Sequence, residues 1–410
     1  MNKQWDLLRK NQSVRALWLG ETISSFGDFF YDIAIMWYVF SKTGSGLQTA
    51  LVMVLTFLPQ AVMGPFLGVL ADRMNRKRLM QLRSFVQACL MGVLTLLIYF
   101  KVASIVEIYI ITVLMAIFQL VYTPARSGMF PDIVPVDQLM TANALFSMSQ
   151  QTARLIGSTS GGAIIALAGA APAVGLDAVT FLVSVICVGR IPHIHRSRDA
   201  SVGTSSMIRD LSLGWQWLLS KRALLVLISI GTLSNIALGP TNVLPPMLIK
   251  NDLHANAAAL GVFDASIGLG MLLAGVLLGS LSVRHVGRLF SLGIGLQGIA
   301  MVIVALSPVL WIACAGNFVL GVAVVTTILP MSTMFQILIP GDMRGRINAI
   351  SSSLFTIFIP ITYGGVGILG DAVGARWSYG FGAALLLLCM TVGMMVPSLR
   401  KQTLLHERFA

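Results

Sequence analysis

Apolar runs of about twenty residues or more recur twelve times along this chain, and no other feature limits its fold as strongly. They fall at about 14–40, 47–70, 79–100, 104–125, 139–168, 172–190, 223–248, 257–282, 289–307, 309–334, 346–369 and 377–397. A helix needs about 20 mostly apolar residues to cross the hydrocarbon of a bilayer. In that medium each backbone polar group must find its partner inside the segment, which selects helices. The fold class read from this pattern is all-α integral membrane, with twelve transmembrane helices. Composition agrees, because only 11% of the 410 residues are charged, against roughly 25% in soluble domains. The net charge of +12 would suggest a nucleic-acid partner in a soluble protein. Here the cations lie between apolar runs, so no nucleic acid is expected and the lipid bilayer is the partner.

The cations also orient the chain. One side collects the N-terminal tail, Arg73, Arg76, Lys77 and Arg78, then Arg126, the central segment, Arg284, Arg288, Arg344, Arg346 and the C-terminal tail. That side holds 22 of the 28 Lys and Arg; Lys42, Lys101, Lys250 and Arg376 face the other, and Arg83 and Arg154 lie within spans. Both termini are thus expected in the cytoplasm of a cell that carries the protein in its plasma membrane, with a bacterial membrane the expected one. The four cysteines sit inside apolar runs without a C-x-x-C pair and read as packing residues. No metal site and no cofactor are implied.

The chain repeats itself. Met129-Phe130 recurs as Met334-Phe335, Pro135 as Pro340, Asp137 as Asp342 and Asn143-Ala144 as Asn348-Ala349, always 205 positions later. The expected organisation is two pseudo-symmetric six-helix bundles, 1–190 and 223–410 with a short tail. A hydrophilic linker at 191–222 joins them. Its second part, Met207 to Leu219, mixes Trp215 and Trp217 with Arg209 and Asp210, which suits either an interfacial helix or a plain linker. Transporters commonly show such repeats, with the substrate site between them near the midplane.

The loop after the second run reads Gly68-Val-Leu-Ala-Asp72-Arg73-Met-Asn-Arg76-Lys77-Arg78. This resembles the signature motif of the major facilitator superfamily. The resemblance implies a conformational latch of Gly68, Asp72, Arg73, Arg76 and Lys77, with the acid near the N-terminus of the eleventh span on the cytoplasmic face. The second copy at Gly279 to Arg288 has Val283 where the first has Asp72. The opening Leu17-Trp18-Leu19-Gly20-Glu21 and the stretch from Pro124 to Ala144 are similar to the branch containing macrolide and siderophore exporters. In the fifth span Gly157-Ser158-Thr-Ser-Gly161-Gly162 resembles an antiporter motif, with Ser158 where that motif has proline.

Glu21, Asp28 and Asp32 share one face of the first span, since steps of seven and four residues at 100° each return to within 20° of the start. An acid in a span costs about 2.5–3.5 kcal/mol on insertion scales, so the stripe must face protein or a water-filled cavity. Carboxylates so placed suit proton coupling or capture of a cationic substrate. Arg154, deep in the fifth span, needs an acid, and Glu21 and Asp28 are the nearest candidates in that reading. Asp264 and Asp177 are weaker candidates, and Asp177 reads as an interfacial acid. Gln119, Tyr122, Asn235 and Asn317 are candidate cavity residues, with Phe26 and Phe30 as apolar walls.

No phosphate loop and no H-E-x-x-H motif is present, so the chain is expected to be no enzyme and to draw on an ion gradient. The expectation is a monomeric secondary transporter exporting amphipathic, cationic drugs or related metabolites by proton antiport. Export of an anionic siderophore or lipid-like metabolite, with Arg154 as its binding residue, is the alternative. A non-transporting membrane sensor or scaffold is the alternative of another class.

Overall fold

A computed structural model describes residues 2–73, 75–192, 204–280, 285–340 and 343–397, and within these the side chains of 2–3, 64–73, 204–211, 279–280 and 349 lie outside the description. The described residues form helices joined by short connections. They are α1 (Asn2–Lys10), α2 (Gln12–Thr43), α3 (Gly46–Arg73), α4 (Arg76–Tyr99), α5 (Ile105–Ile133), α6 (Leu139–Ala168) and α7 (Ala170–Gly189). Then follow α8 (Thr204–Leu219), α9 (Arg222–Ala237), the short α10 (Gly239–Val243) and α11 (Pro245–Met247), and a π turn at Leu248–Asp252. The last are α12 (Ala257–Ser280), α13 (Val286–Leu306), α14 (Leu310–Leu338), α15 (Arg344–Val373) and α16 (Ala375–Met395).

Nine of these, among the described residues, are long and apolar enough to cross a membrane: α3, α4, α5, α7 and α12 to α16. The first and fifth expected spans appear as α2 and α6, with 32 and 30 residues. Their length, at about 1.5 Å per residue, exceeds the hydrocarbon thickness. Charges in α2, and glycines, hydroxyls and amides in α6, dilute their hydropathy. The seventh expected span is broken. It runs straight only through α9, and Pro240, Pro245 and Pro246 then divide it into short turns, because proline removes a backbone donor and clashes with the preceding turn.

The repeat is written into the helix bounds. α5 and α14, α6 and α15, and α7 and α16 each begin 205 residues apart. The turn into the last helix of each set is made by Gly169, at φ 84 and ψ −178, and by Gly374, at φ 86 and ψ 167. That region of backbone space is closed to residues with a Cβ. Other ends are set by side chains. Asn11 and Asn75 cap α2 and α4, and Ser104 with Glu107 forms a capping box on α5; each satisfies donors that a helix start leaves open.

By contacts the chain divides into two units. The first is Met1–Arg196 with His254–Ala265, and the second is Ser197–Leu253 with Ser266–Ala410. The first half of α12 thus packs with the first unit. In that unit α2 lies against α6 and α7, and α4 lies between α5 and α7. The N-terminal tail forms α1, and its Leu7 and Leu8 are buried with Leu17, Met80, Met129 and Phe146. Large side chains such as Phe85, Leu96, Leu182 and Ile186 are exposed, as helices bathed in lipid require.

Arg76 and Lys77 tie one end of this unit together. Arg76 donates to the Gly128 carbonyl and to Asp132, both at 2.9 Å. Lys77 donates to the carbonyls of Gly189 and Ile191, at 2.7 and 2.5 Å, and so caps the C-terminus of α7. Two of the expected latch residues therefore hold α4 to α5 and α7. Gly68, Asp72 and Arg73 fall in α3, where their side chains lie outside the described residues.

In the second unit α13 packs against α14 and α16, and α9 against α15 and α16. The segment Ser212–Leu219 of α8 meets α9 at 105°. Leu213, Trp215 and Leu219 are exposed there and Leu218 is buried, while Lys221 lies over the Trp217 ring. A helix at that angle, with aromatic and basic residues at its end, has the makeup of one lying in the membrane interface. The fold generates a stability prediction. Gly169→Ala and Gly374→Ala should each lower stability by about 1–3 kcal/mol, whereas Gly92→Ala, inside α4 with open space around its Cβ, should not. Thermal unfolding of the purified variants in detergent decides; three equal melting points would refute it.

Candidate functional site

A cavity of about 390 Å³ opens inside the first unit between α2, α4, α5 and α6. Two acids and two guanidinium groups stand on its wall: Glu21 and Asp28 from α2, Arg83 from α4 and Arg126 from α5, with Gln119 and Tyr122 beside them. Gln119, Tyr122 and Arg126 are spaced three and four apart, so one face of α5 presents all three.

Glu21 is the most heavily engaged. Its Oε1 accepts from Arg126 Nε at 2.6 Å and from the Tyr122 hydroxyl at 2.8 Å. Arg126 in turn lies over the rings of Phe130 and Phe146, a placement that favours a guanidinium. Arg126, expected as a cytoplasmic loop cation, is therefore a cavity residue. Arg83 is buried. Its Nε and Nη2 both donate to Gln119 Oε1, at 3.1 and 2.7 Å. It is also sandwiched between the rings of Tyr122 and Phe181, 4.6 and 4.8 Å from their centroids.

Asp28 is half-buried on the same wall. It enters no ion pair among the described residues, but it lies within the field of Arg83. Asp32 is exposed and does not line this cavity; the charges that act on it are Asp28, Asp264 and Arg154.

Arg154 pairs with neither Glu21 nor Asp28. Its Nη2 donates to Asp264 Oδ1 at 2.9 Å, and Ser158 donates to Asp264 Oδ2 at 2.5 Å. The reason is the close approach of α6 and α12. A Cβ on Gly162 would stand 2.6 Å from the Ala257 carbonyl, and one on Gly261 would stand 2.3 Å from that of Ser158. The glycines of the fifth span bring backbones together, as small residues do between membrane helices, and Arg154 then reaches the nearest acid on α12. Asp264, on the opposite half of the sequence, carried no spacing signal for this pairing.

The other candidates are placed elsewhere. Phe26 and Phe30 pack against Gly157 and Gly161 of α6. In the second unit, Asn235 donates to the Gly231 carbonyl of its own helix and Asn317 is buried. Asp177 is not interfacial but fully buried, against Gly27 of α2. The residues missed in the sequence are Arg83 and Arg126. The one signal in the sequence was the place of Arg83 inside a span, where a cation needs a partner; Arg126 read as a loop cation.

The pair at the cavity wall should be energetically coupled. Glu21→Gln and Arg126→Gln should each cost about 1.5–3 kcal/mol, the range for hydrogen bonds to charged groups. The double variant should lose less than the sum. Unfolding midpoints of the four proteins test this, and strictly additive losses would count against the pairing.

Comparison with known proteins gives the chain its place. Residues 4–405 match the family model described as transmembrane secretion effector. Macrolide efflux protein A of Streptococcus pyogenes is 27% identical, over 94% of this chain and 96% of that protein. Enterobactin exporter EntS of Escherichia coli O1:K1 / APEC is 27% identical, over 93% and 89%. Among solved structures, a bacterial homologue of the iron transporter ferroportin superposes with a TM-score of 0.74 at 17% identity, covering 93% of this chain and 98% of that one. The nucleoside transporter NupG superposes with a TM-score of 0.71 at 12% identity, over 93% and 98%. A family match over nearly the whole length, two efflux relatives matched over most of both chains and the shared helical fold lead to one conclusion: the chain belongs to the major facilitator superfamily, in the transmembrane secretion effector family, and is a transporter rather than an enzyme.

Proposed function

We propose that this protein exports an amphipathic small molecule from a bacterial cell in exchange for protons. The observation that carries the reading is the division of labour between two acids on one cavity wall. Glu21 is held by Arg126 and Tyr122, whereas Asp28 faces the same cavity without an ion pair among the described residues. A carboxylate in that position has two ways to become neutral, by a proton or by a cation on the substrate. Each excludes the other, and that exclusion is the chemical core of an antiporter.

The proposed cycle is alternating access about the two halves of the sequence. A cationic amphiphile enters from the cytoplasm and pairs with Asp28, while the rings near Arg126 accommodate its apolar body. Opening to the outside lets a proton replace it, and the neutral Asp28 returns. Asp32 and the Arg154–Asp264 pair assist by setting the field along α2. The efflux relatives support the outward direction. The charge pattern of the loops supports cytoplasmic termini in the plasma membrane, and a single chain suffices as the working unit.

A second reading has its own observation. Arg83 and Arg126 give the cavity two guanidinium groups, so an anionic substrate could take Arg126 from Glu21. In this form Arg126, and not Arg154, would be the anion-binding residue. A sensor or scaffold without transport draws no support from this arrangement.

The test is efflux from inverted vesicles of tetraphenylphosphonium, a macrolide and an anionic catecholate, each with and without a protonophore. The expected result is protonophore-sensitive movement of the cations, reduced at least tenfold by Asp28→Asn in protein that still inserts. Efflux of the catecholate alone, lost in Arg126→Gln and kept in Asp28→Asn, would establish the second reading. Undiminished cation efflux by Asp28→Asn would refute the first.

A further inference from the structure

We infer that Asp177 is a proton-binding site, buried where α7 crosses α2 and linked through Arg83 to Asp28. Its part in a transport cycle rests on the proton-coupled reading above; its existence as a site does not.

The carboxyl is fully buried, about two helical turns inside α7 from Ala170. Its Oδ1 accepts from the Thr180 hydroxyl at 3.2 Å, but that hydroxyl also reaches the Asp177 carbonyl at 2.8 Å, so one proton is divided between two acceptors. Oδ2 is buried and has no partner among the described residues. An ionised carboxylate offers about four acceptor positions, and leaving them empty in an apolar crossing is costly. A proton on Oδ2 removes the charge, which is the largest part of that cost.

The charges around it lead to the same result. The charges of Asp28 and Asp32 on α2 and of Arg83 on α4 act on it, and its own charge acts on the Tyr31 hydroxyl; α6 adds no charged group that acts on it. Arg83 is the one cation in that set, and its field reaches both Asp28 and Asp177. One guanidinium can balance one of the two acids, and the other needs a proton. The crossing is shaped for this carboxyl. A Cβ at Gly27 would lie 2.3 Å from Asp177 Oδ1 and 2.2 Å from Thr180 Oγ1. Nor does helix packing demand an acid there. The residue 205 positions later is Gly382, which meets α9 at the Ala237 carbonyl.

The step is simple to balance. One proton passes from Asp28 or from water in the cavity to Oδ2 of the carboxylate to give the carboxylic acid, and with a cation on Asp28 the reverse step returns it to water. When a cation neutralises Asp28, Arg83 is left to Asp177, which then gives up its proton. The site thereby converts arrival of substrate into loss of a proton.

The full-length protein, reconstituted in phosphatidylethanolamine/phosphatidylglycerol vesicles, is titrated with pH under infrared difference spectroscopy. The wild type is expected to show a protonated-carboxyl band that disappears reversibly as the pH rises, and Asp177→Asn is expected to lose one component of it. A wild-type spectrum with no such band, or an unchanged band in the variant, would overturn the assignment. If Asp177→Asn does not fold, Thr180→Val replaces it: the band should remain with a displaced midpoint, and an identical titration would overturn the assignment. Efflux is scored separately. Wild-type efflux indifferent to a protonophore would sink the antiport reading and leave the Asp177 site standing, and normal coupling in Asp177→Asn would confine the site to a static role and overturn its link to Asp28.

Discussion

A charge inside a membrane protein must be matched, and the first unit is organised around that requirement. Moving a carboxylate or guanidinium out of water without a partner costs several kcal/mol. Glu21 is matched by Arg126 and Tyr122, Arg83 by Gln119 and two aromatic rings, and Arg154 by Asp264 with help from Ser158. Each match joins two helices, so the charges fix which faces of α2, α4, α5, α6 and α12 look at one another. Asp28 and Asp177 are the acids that this scheme leaves open, and they share one cation. The scaffold neutralises most of its buried groups and leaves two adjacent acids under-matched, and it is there that we propose its chemistry lies.

The second unit shows what the same architecture looks like without that burden. The starts of its last three helices, α14 to α16, repeat those of α5 to α7 in one register, down to the glycine that turns α15 into α16. It has no acid stripe on α9, where Thr232 and Asn235 hydrogen-bond to their own helix backbone. Its core is instead held by glycine contacts, such as Gly293 against the backbone of Thr326 and Gly321 against Ile267. The two copies therefore share a backbone plan and differ in where polar groups are buried.

Much of this was legible in the sequence because it rests on short-range periodicity. Hydrophobic length located the helices, the internal register revealed the duplication, and the spacing of Glu21, Asp28 and Asp32 put three acids on one face. The break after α9 was also written there, in Pro240, Pro245 and Pro246, although the apolar run conceals it. What escaped the sequence is pairing over distance. Arg154 joins an acid 110 positions away and Arg126 one 105 positions away, and a guanidinium on a long flexible stem gives no local sign of its direction. Asp177 escaped for a different reason. Its position near a span's start suggests an interface, and only the crossing with α2 shows it to be enclosed.

The contact between Gly27 and Asp177 has a consequence for how this protein can change over generations. A side chain at position 27 has nowhere to go while the carboxyl is present, so neither site is free to drift alone. A lineage that keeps the acid must keep the glycine, and one that loses the acid must also change Thr180, whose Oγ1 would stand 2.2 Å from a Cβ at position 27, before the gap can be filled from the other helix. In the second unit the small residue is on α16, where Gly382 lies against the backbone carbonyl of Ala237 on α9. The two positions are therefore expected to be inherited as one character, and the ancestor of both halves need have had only a close crossing of helices, to which a titratable group was added on one side.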